Sequence, residues 1–285
     1  MGPSEFTSLL ANNTLIVAYD AGSAAVIANN LDRESSSELV AVAEGPALKI
    51  LKPKIRVLNR EQLSRLRSDY NQVMLATGWQ SDLVSSALRS AKKAGLKTIG
   101  LIDRNINIEL RFRCQNELLI PDLIIAPSQM TLTLPPSLSR IPVLHLDDVG
   151  FERLVNEVKE LKISTEKTYD FLFIGQPVVD ANGSVDSESQ FAAIRTLWRD
   201  NRDRRDRRDR RDSKCIGFRP HPSQTGHLNG CLPDDVKICD TQESAILQIA
   251  QAKSVVGFDS ILLDIADAAG VPCTRIEHGD HRHVP

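Results

Sequence analysis

The stretch Val255-Val256-Gly257-Phe258-Asp259-Ser260-Ile261-Leu262-Leu263-Asp264-Ile265-Ala266-Asp267-Ala268-Ala269-Gly270-Val271-Pro272 reads as strand, turn, helix and the start of a new strand. Val255 and Val256 end an apolar run suited to a buried strand, and Gly257 permits a tight turn. Ser260 stands where a helix N-cap is expected, Asp264 lies one turn on, and Gly270 with Pro272 closes the helix. Such a turn aims free N–H groups and the positive end of a helix dipole beyond the sheet, which suits a phosphate. The plainer reading of the same residues is an ordinary βα unit whose serine only caps its helix.

The rest of the chain repeats this alternation. Leu15–Tyr19, Leu39–Ala43, Ile55–Leu58, Gln72–Ala76, Thr98–Ile102, Leu123–Ala126 and Pro142–Leu144 read as strands, with helical stretches after most of them. A helix from Phe151 to about Leu161 completes a first half of residues 1–165. A second half, 166–285, begins at Asp170-Phe171-Leu172-Phe173-Ile174 and continues through Ser187–Asp200, Ile216–Phe218, Val236–Cys239 and Gln242–Gln251. Strands alternating with helices predict parallel sheets covered on both faces. The expected fold class is therefore α/β, with two Rossmann-like, doubly wound domains facing a cleft. The polar turns at 20–23, 77–81, 103–105, 175–177, 219–223 and 257–260 fall at the carboxyl ends of the strands, where open α/β sheets bind ligands.

At 285 residues, 41% hydrophobic and 25% charged, the composition is that of a water-soluble protein of about two domains. No apolar run approaches the ~20 residues of a membrane span, and no basic segment followed by an apolar core opens the chain, so a cytoplasmic protein is expected. Met1–Phe6 reads either as a remnant foreign to the natural chain or as a disordered native start. The cysteines at 114, 215, 231, 239 and 273 form no CxxC pair, which favours reduced thiols over a disulfide framework or zinc site. The segment 201–214 carries a local charge of +4 against a chain total of −2, so the remainder is about −6 and no global nucleic-acid-binding surface is indicated. Its Arg/Asp repeat has no apolar face and reads as a solvated helical extension or a disordered insertion.

Chemistry concentrates at four strand ends. In Arg219-Pro220-His221-Pro222 two prolines stiffen the backbone and present the imidazole in a fixed direction beside Arg219, an arrangement suited to a phosphate. Ser260 follows about forty residues later in the same half. Asp20, in Asp20-Ala21-Gly22, is the best-placed carboxylate for a general base, and an N-cap role for the first helix is the alternative. Asp103 is the next candidate for base or substrate ligand, with Arg104 or Arg111 available for an anionic acceptor or for a structural ion pair. Asp147-Asp148 reads as a solvated loop, and His278, His281 and His283 as a loose polar tail, so no metal site is expected. The P-loop, the Gly-x-Gly-x-x-Gly dinucleotide fingerprint after the first strand, and the Gly-x-Ser-x-Gly elbow are all missing from the sequence.

The HP motif, the Gly-x-x-Ser helix start, the acidic residue one turn on and the Ala-x-Gly-x-Pro ending, all within 170–275, resemble the donor half of GT-B glycosyltransferases. Arg219-Pro220-His221-Pro222 and Ser260 are similar to the HP and Ser motifs of bacterial sialyltransferases and polysialyltransferases, and of glycerophosphotransferases of wall and capsule synthesis. The resemblance implies that His221, with Arg219, and Ser260 hold the phosphates of a nucleotide-activated sugar, UDP- or CMP-linked. It places Asp264 where such enzymes often carry a ribose-binding Glu, and makes the first half the acceptor domain. Asp20-Ala21-Gly22 resembles the acidic-Asp-Gly motif of those sialyltransferases with one residue replaced by Ala. The implied function is sugar transfer to a carbohydrate acceptor in polysaccharide or glycoconjugate synthesis, with no separate cofactor, no nucleic acid, and peripheral membrane association left open. A nucleotide-sugar hydrolase or epimerase on the same scaffold, and an inactive accessory protein, are the alternatives.

Overall fold

The computed structural model describes residues 1–11, 13–31, 39–78, 81–115, 117–176, 187–205, 215–221, 231–258 and 260–276. It divides into two units, Met1–Gly150 and Phe151–Pro285.

The first unit runs α1 (Pro3–Leu10), β1 (Thr14–Ala18), α2 (Ala21–Asn30), β2 (Val40–Ala43), α3 (Gly45–Leu51), β3 (Arg56–Leu58), α4 (Leu66–Asp69), β4 (Gln72–Ala76), α5 (Asp82–Ala94) and β5 (Lys97–Leu101). It continues through α6 (Ile108–Arg111), the hairpin β6 (Arg113–Cys114) and β7 (Glu117–Leu118), β8 (Leu123–Pro127) and β9 (Val143–Leu146). The parallel sheet has the order β3-β2-β1-β4-β5-β8-β9. β1 and β4 are buried along their whole length, as expected of parallel strands covered on both faces. Their side chains alternate between two apolar layers: Ile16, Ala18, Met74 and Ala76 face one, Leu15, Val17, Val73 and Leu75 the other. α5 shows why the local chemistry works. Ser81 accepts the Leu83 N–H at its start, and Gly95, with φ of 72°, ends it in the left-handed conformation a glycine adopts without strain.

Two local expectations fail here. The opening residues are not disordered: they form α1, with Phe6 and Leu10 fully buried in the first layer. The pair at 147–148 is not solvated as a whole. Asp148 is buried, accepts from Asn30 Nδ2 at 2.9 Å and from the Gly150 N–H at 3.0 Å, and so helps seat the start of α7 (Val149–Ser164).

The second unit runs from α7 into β10 (Tyr169–Ile174), α8 (Ser187–Arg205), β11 (Ile216–Arg219), β12 (Val236–Ile238), α9 (Ala245–Ala250), β13 (Ala252–Gly257), α10 (Ile261–Ala268) and β14 (Cys273–Arg275). Its parallel sheet has the order β12-β11-β10-β13-β14. Leu172, Ile174 and Val255 pack on one face with Val155 and Val158 of α7; Phe173, Phe218 and Val256 pack on the other with α8. The division between units falls before most of α7, fifteen residues earlier than the expected 165, because that helix buries its apolar side in the second core. Lys162 fastens it further, donating to the carbonyls of Ala269 and Gly270 past the end of α10. Of the Arg/Asp repeat, α8 includes the backbone as far as Arg205; 206–214 lie outside the described residues, as do Pro222 and the histidines of the tail.

Candidate functional site

Both sheets carry the strand order in which successive crossovers first move one way from the founding strand and then the other. In the first unit that reversal falls between β1 and β4, and in the second between β10 and β13. Ligands of open α/β sheets bind beyond the carboxyl ends of strands at such a point.

In the first unit, Ala18 of β1 pairs with Ala76 of β4, which pairs with Leu101 of β5, so the three strands end level. Just beyond them stand Asp20, Thr77-Gly78 and Asp103. The structure therefore brings the two expected carboxylates together. Asp20 occupies the N-cap position of α2 with extended backbone (φ −79°, ψ 146°), yet its side chain makes no capping hydrogen bond. Among the described residues nothing donates a hydrogen bond to its carboxylate. Ser23, one turn along, instead donates to the Thr77 carbonyl at 3.1 Å.

Asp103 is held differently. Its Oδ1 accepts from Arg111 Nη1 at 2.7 Å, and the Arg111 side chain is only 4% exposed. The same Nη1 donates to the Thr77 carbonyl at 2.9 Å, and Nε to the Ile106 carbonyl at 3.1 Å. Of the two readings for Arg111, the ion pair is the one the geometry shows. Two glycines make the arrangement possible. A β-carbon on Gly78 would lie 1.8 Å from Asp20 Oδ2, and one on Gly22 would lie 2.0 Å from Asp103 Oδ2, so each carboxylate rests on a neighbouring bare backbone.

The electrostatics follow. Burial pushes the Asp20 carboxyl up from its ordinary value to about 6, the negative charge of Asp103 adds to the rise, and Arg111 opposes it. A carboxylate with a proton affinity near neutrality and no hydrogen bond from the described residues is equipped to accept a proton.

In the second unit, Ile174 at the end of β10 pairs with Arg219 of β11 on one side and Gly257 of β13 on the other. His221 and Ser260 therefore leave the same edge of the sheet, from strands about 10 Å apart at the usual spacing of ~4.8 Å. Gly175 and Gly257 keep that edge low: a β-carbon on either would lie 2.9 Å from the backbone oxygen of Arg219 or of Ile174. Ser260 caps α10, accepting from the Leu262 N–H at 3.4 Å. His221 is half-buried, and burial holds its imidazole below the ordinary histidine value, so it is a neutral hydrogen-bonding group at pH 7.

Arg219 and Asp264 lie at this edge but are engaged elsewhere. The sequence places Arg219 on a phosphate. In the structure its Nη1 donates to Gln248 Oε1 at 2.6 Å and to the Glu243 carbonyl at 3.0 Å, with longer contacts to the carbonyls of Asp240 and Thr241. Gln248, fully buried, donates in turn to the Asp240 carbonyl and to Glu243 Oε2. Asp264 pairs with Arg275 of β14 at 2.7 Å. Sequence reasoning misses Gln248, Arg275 and the two spacer glycines. A glutamine inside an amphipathic helix carries no signal, whereas Gly22 and Gly78, each at a strand end, could have been noticed. Among the described residues no group of three or more His, Cys, Asp or Glu is placed to hold a metal, and no helix is long and apolar enough to cross a membrane.

No protein-family model matches the sequence, and no curated protein matches it significantly. Solved structures do share its fold. The Anabaena HepE structure in complex with UDP-glucose is 10% identical, with a TM-score of 0.58 over 93% of this chain and 83% of that one. The UDP-GlcNAc 2-epimerase of Neisseria meningitidis, bound to UDP-GlcNAc, is 12% identical, with a TM-score of 0.58 over 94% and 84%. The spinosyn forosaminyltransferase SpnP is 11% identical, with a TM-score of 0.52 over 95% and 81%. The fold is GT-B-like. At these identities the likeness extends to the architecture and not to the chemistry.

Proposed function

We propose that this protein is a glycosyltransferase that uses a nucleotide-activated sugar, with the second unit holding the donor and the first supplying the base. The observation that carries the reading is the Asp20 carboxylate: free of hydrogen bonds from described residues, seated at the β1/β4 reversal, and with its pKa raised to about 6. The donor's phosphates lie at the sheet edge between His221 and the opening of α10, where the N–H groups of the first turn and a neutral imidazole donate to them. Two proteins of the same fold, HepE and the Neisseria epimerase, are seen with UDP or a UDP-sugar, which supports a uridine nucleotide; the HP and Ser motifs support a CMP-linked donor as the alternative.

In the reaction, Asp20 takes the proton of an acceptor hydroxyl. The oxygen's electron pair forms the bond to the anomeric carbon as the carbon–oxygen bond to the phosphate breaks. The leaving phosphate keeps that pair, and the His221 and α10 donors stabilise its charge. One displacement of this kind inverts the anomeric centre. The acceptor is a carbohydrate chain or glycoconjugate.

A second reading, a nucleotide-sugar epimerase or hydrolase, draws on the neighbouring carboxylate Asp103. The ion pair with Arg111 counts against it, because Asp103 Oδ1 is already engaged by a buried guanidinium at 2.7 Å.

The test is calorimetric titration with UDP, CMP, CDP and GDP, followed by turnover of the corresponding sugar nucleotides with and without a mixed oligosaccharide acceptor. Binding of one nucleotide that is lost in His221→Ala and Ser260→Ala, with acceptor-dependent turnover lost in Asp20→Asn, is the expected result. Turnover without acceptor would establish the second reading. Absence of nucleotide binding would overturn both and leave an accessory protein.

A further inference from the structure

We propose that Arg111 is a positioning residue: by clamping Asp103 against the β4 turn it keeps a fixed negative charge beside Asp20 and leaves the Asp20 carboxylate as the one group of the cluster open to a proton. This deepens the reading of Asp20 as the base and rests on it, and it removes Asp103 from the catalytic residues.

The geometry supports each part. Arg111 sits on α6, which follows Asn107 in the left-handed conformation (φ 51°), so the chain turns back sharply after Asp103 and delivers the guanidinium under the strand ends. There it bonds three pieces of chain at once: Asp103 after β5, the Thr77 carbonyl after β4, and the Ile106 carbonyl in its own turn. A planar fork with its donors in fixed directions can do this; a lysine ammonium at the end of a flexible stem cannot match all three. Both partners are enclosed, Arg111 at 4% and Asp103 at 13% exposure, so the pair lacks the solvent access that an anionic acceptor would need to reach the guanidinium. Asp103 Oδ2 is turned over Gly22 in α2, toward the helix that Asp20 opens. Asp103 and Arg111 are the charged groups that act on Asp20 among the described residues, the first raising its proton affinity and the second lowering it. The Asp103 effect is the larger, so the net action of the pair is to favour the protonated form.

The experiment is a carbon-13 NMR titration of protein labelled at the aspartate carboxyl carbons, from pH 4 to 8, with Asp20→Asn to assign the Asp20 signal. Thermal denaturation accompanies each variant as the check on folding. In Asp103→Asn the Asp20 midpoint moves down toward the ordinary aspartate range; in Arg111→Met it moves up; in Arg111→Lys it stays near the wild-type value while the carboxyl resonance of Asp103 changes. Should either single variant fail to fold, the double variant Asp103→Asn/Arg111→Met removes both charges together, and its Asp20 midpoint moves down. An Asp20 midpoint that is unmoved in a folded Asp103→Asn or double variant overturns the proposal. So does an Asp103→Asn enzyme whose kcat falls with no displacement of the acid limb of its pH profile, since that is the behaviour of a group touching substrate. The titration needs no substrate. If the midpoints move as stated but no sugar nucleotide is turned over, the transferase reading fails while the Arg111 inference stands.

Discussion

The carboxylate of Asp20 occupies the space that a side chain on residue 78 would fill, with Oδ2 1.8 Å from where a β-carbon of Gly78 would stand. The relationship makes a glycine after β4 a requirement of the site and not of the fold. The obstructing atom is the far end of a rotatable side chain with no hydrogen bond to lose among the described residues, so Gly78→Ala displaces Asp20 at small cost. The expected outcome is a melting temperature within a few degrees of wild type together with loss of the base, which amounts to about 10²–10⁴-fold in kcat. Gly22→Ala makes the contrast. There the displaced group is Asp103, and moving it leaves the buried Arg111 unpaired, a change that costs about 3–5 kcal/mol. Thermal melts of the two variants side by side check the difference. A Gly78→Ala enzyme with full turnover would exclude the observed Asp20 position as the working one.

Asp20 also ties activity to stability. Its carboxyl is held at about 6, above the ordinary value of 3.8, so the folded chain binds this proton more tightly than the unfolded chain. The sign is therefore that stability from this group is fully present below about pH 4, declines as pH rises through 6, and is level above. A rise from 3.8 to about 6 corresponds to at most about 3 kcal/mol. Asp20→Asn removes the charge and is expected to raise the melting temperature at pH 7.5 while abolishing turnover, with the gain vanishing near pH 4. In wild type, kcat/KM rises with pH through about 6 and then plateaus, as a base requires. Denaturation curves at pH 4 and 7.5 and one pH–rate profile decide it; a falling profile over pH 5–7 would assign Asp20 the role of acid.

The sequence made the architecture legible because parallel strands buried on both faces are written as unbroken apolar runs. Leu15–Ala18, Gln72–Ala76 and Val255-Val256 could be read without knowing their neighbours. α1 escaped because its signal is only Phe6 and Leu10 on one side of an eight-residue helix, and their burial depends on a sheet formed by later residues. The hairpin and short helix between 106 and 118 escaped for the same reason. At the candidate site, Asp20 and Asp103 were legible as carboxylates at strand ends. What each one does was not, since that depends on which of them Arg111 reaches, and an irregular turn and the start of α6 separate Arg111 from Asp103. Arg219 shows the reverse problem: its place beside His221 was plain, while the carbonyls it holds come from residues 240–243, beyond the next strand.

His221 gives a prediction about protons. Burial keeps it neutral near pH 7, and a diphosphate placed beside it would favour the charged form. Binding is then coupled to proton uptake, and affinity rises as pH falls from 7.5 toward 6. UDP-glucose is the appropriate probe, because its esterified diphosphate has no group of its own titrating near neutrality. Calorimetry in two buffers of different ionisation enthalpy measures the uptake directly. The expected result is uptake at pH 6.5 that disappears in His221→Gln. Equal apparent enthalpies in both buffers would place the diphosphate away from the imidazole.

Arg219 separates a scaffold role from a ligand role. Its guanidinium holds the turn before α9 by one side-chain and three carbonyl contacts, and the buried amide of Gln248 depends on it for a partner. Removing the guanidinium in Arg219→Met leaves that amide oxygen unsatisfied, which costs about 1–3 kcal/mol. Arg219→Lys should recover little of this, because three donors on a flexible stem cannot reproduce the fork that spans Gln248 and the carbonyls of 240–243. A phosphate ligand would behave otherwise: lysine would preserve much of the nucleotide affinity, and neither variant would lower the melting temperature. Melting temperatures and nucleotide dissociation constants for the two variants therefore give opposite patterns under the two roles. The contacts favour a loss of several degrees in both, with affinity falling only as far as the displaced turn disturbs His221.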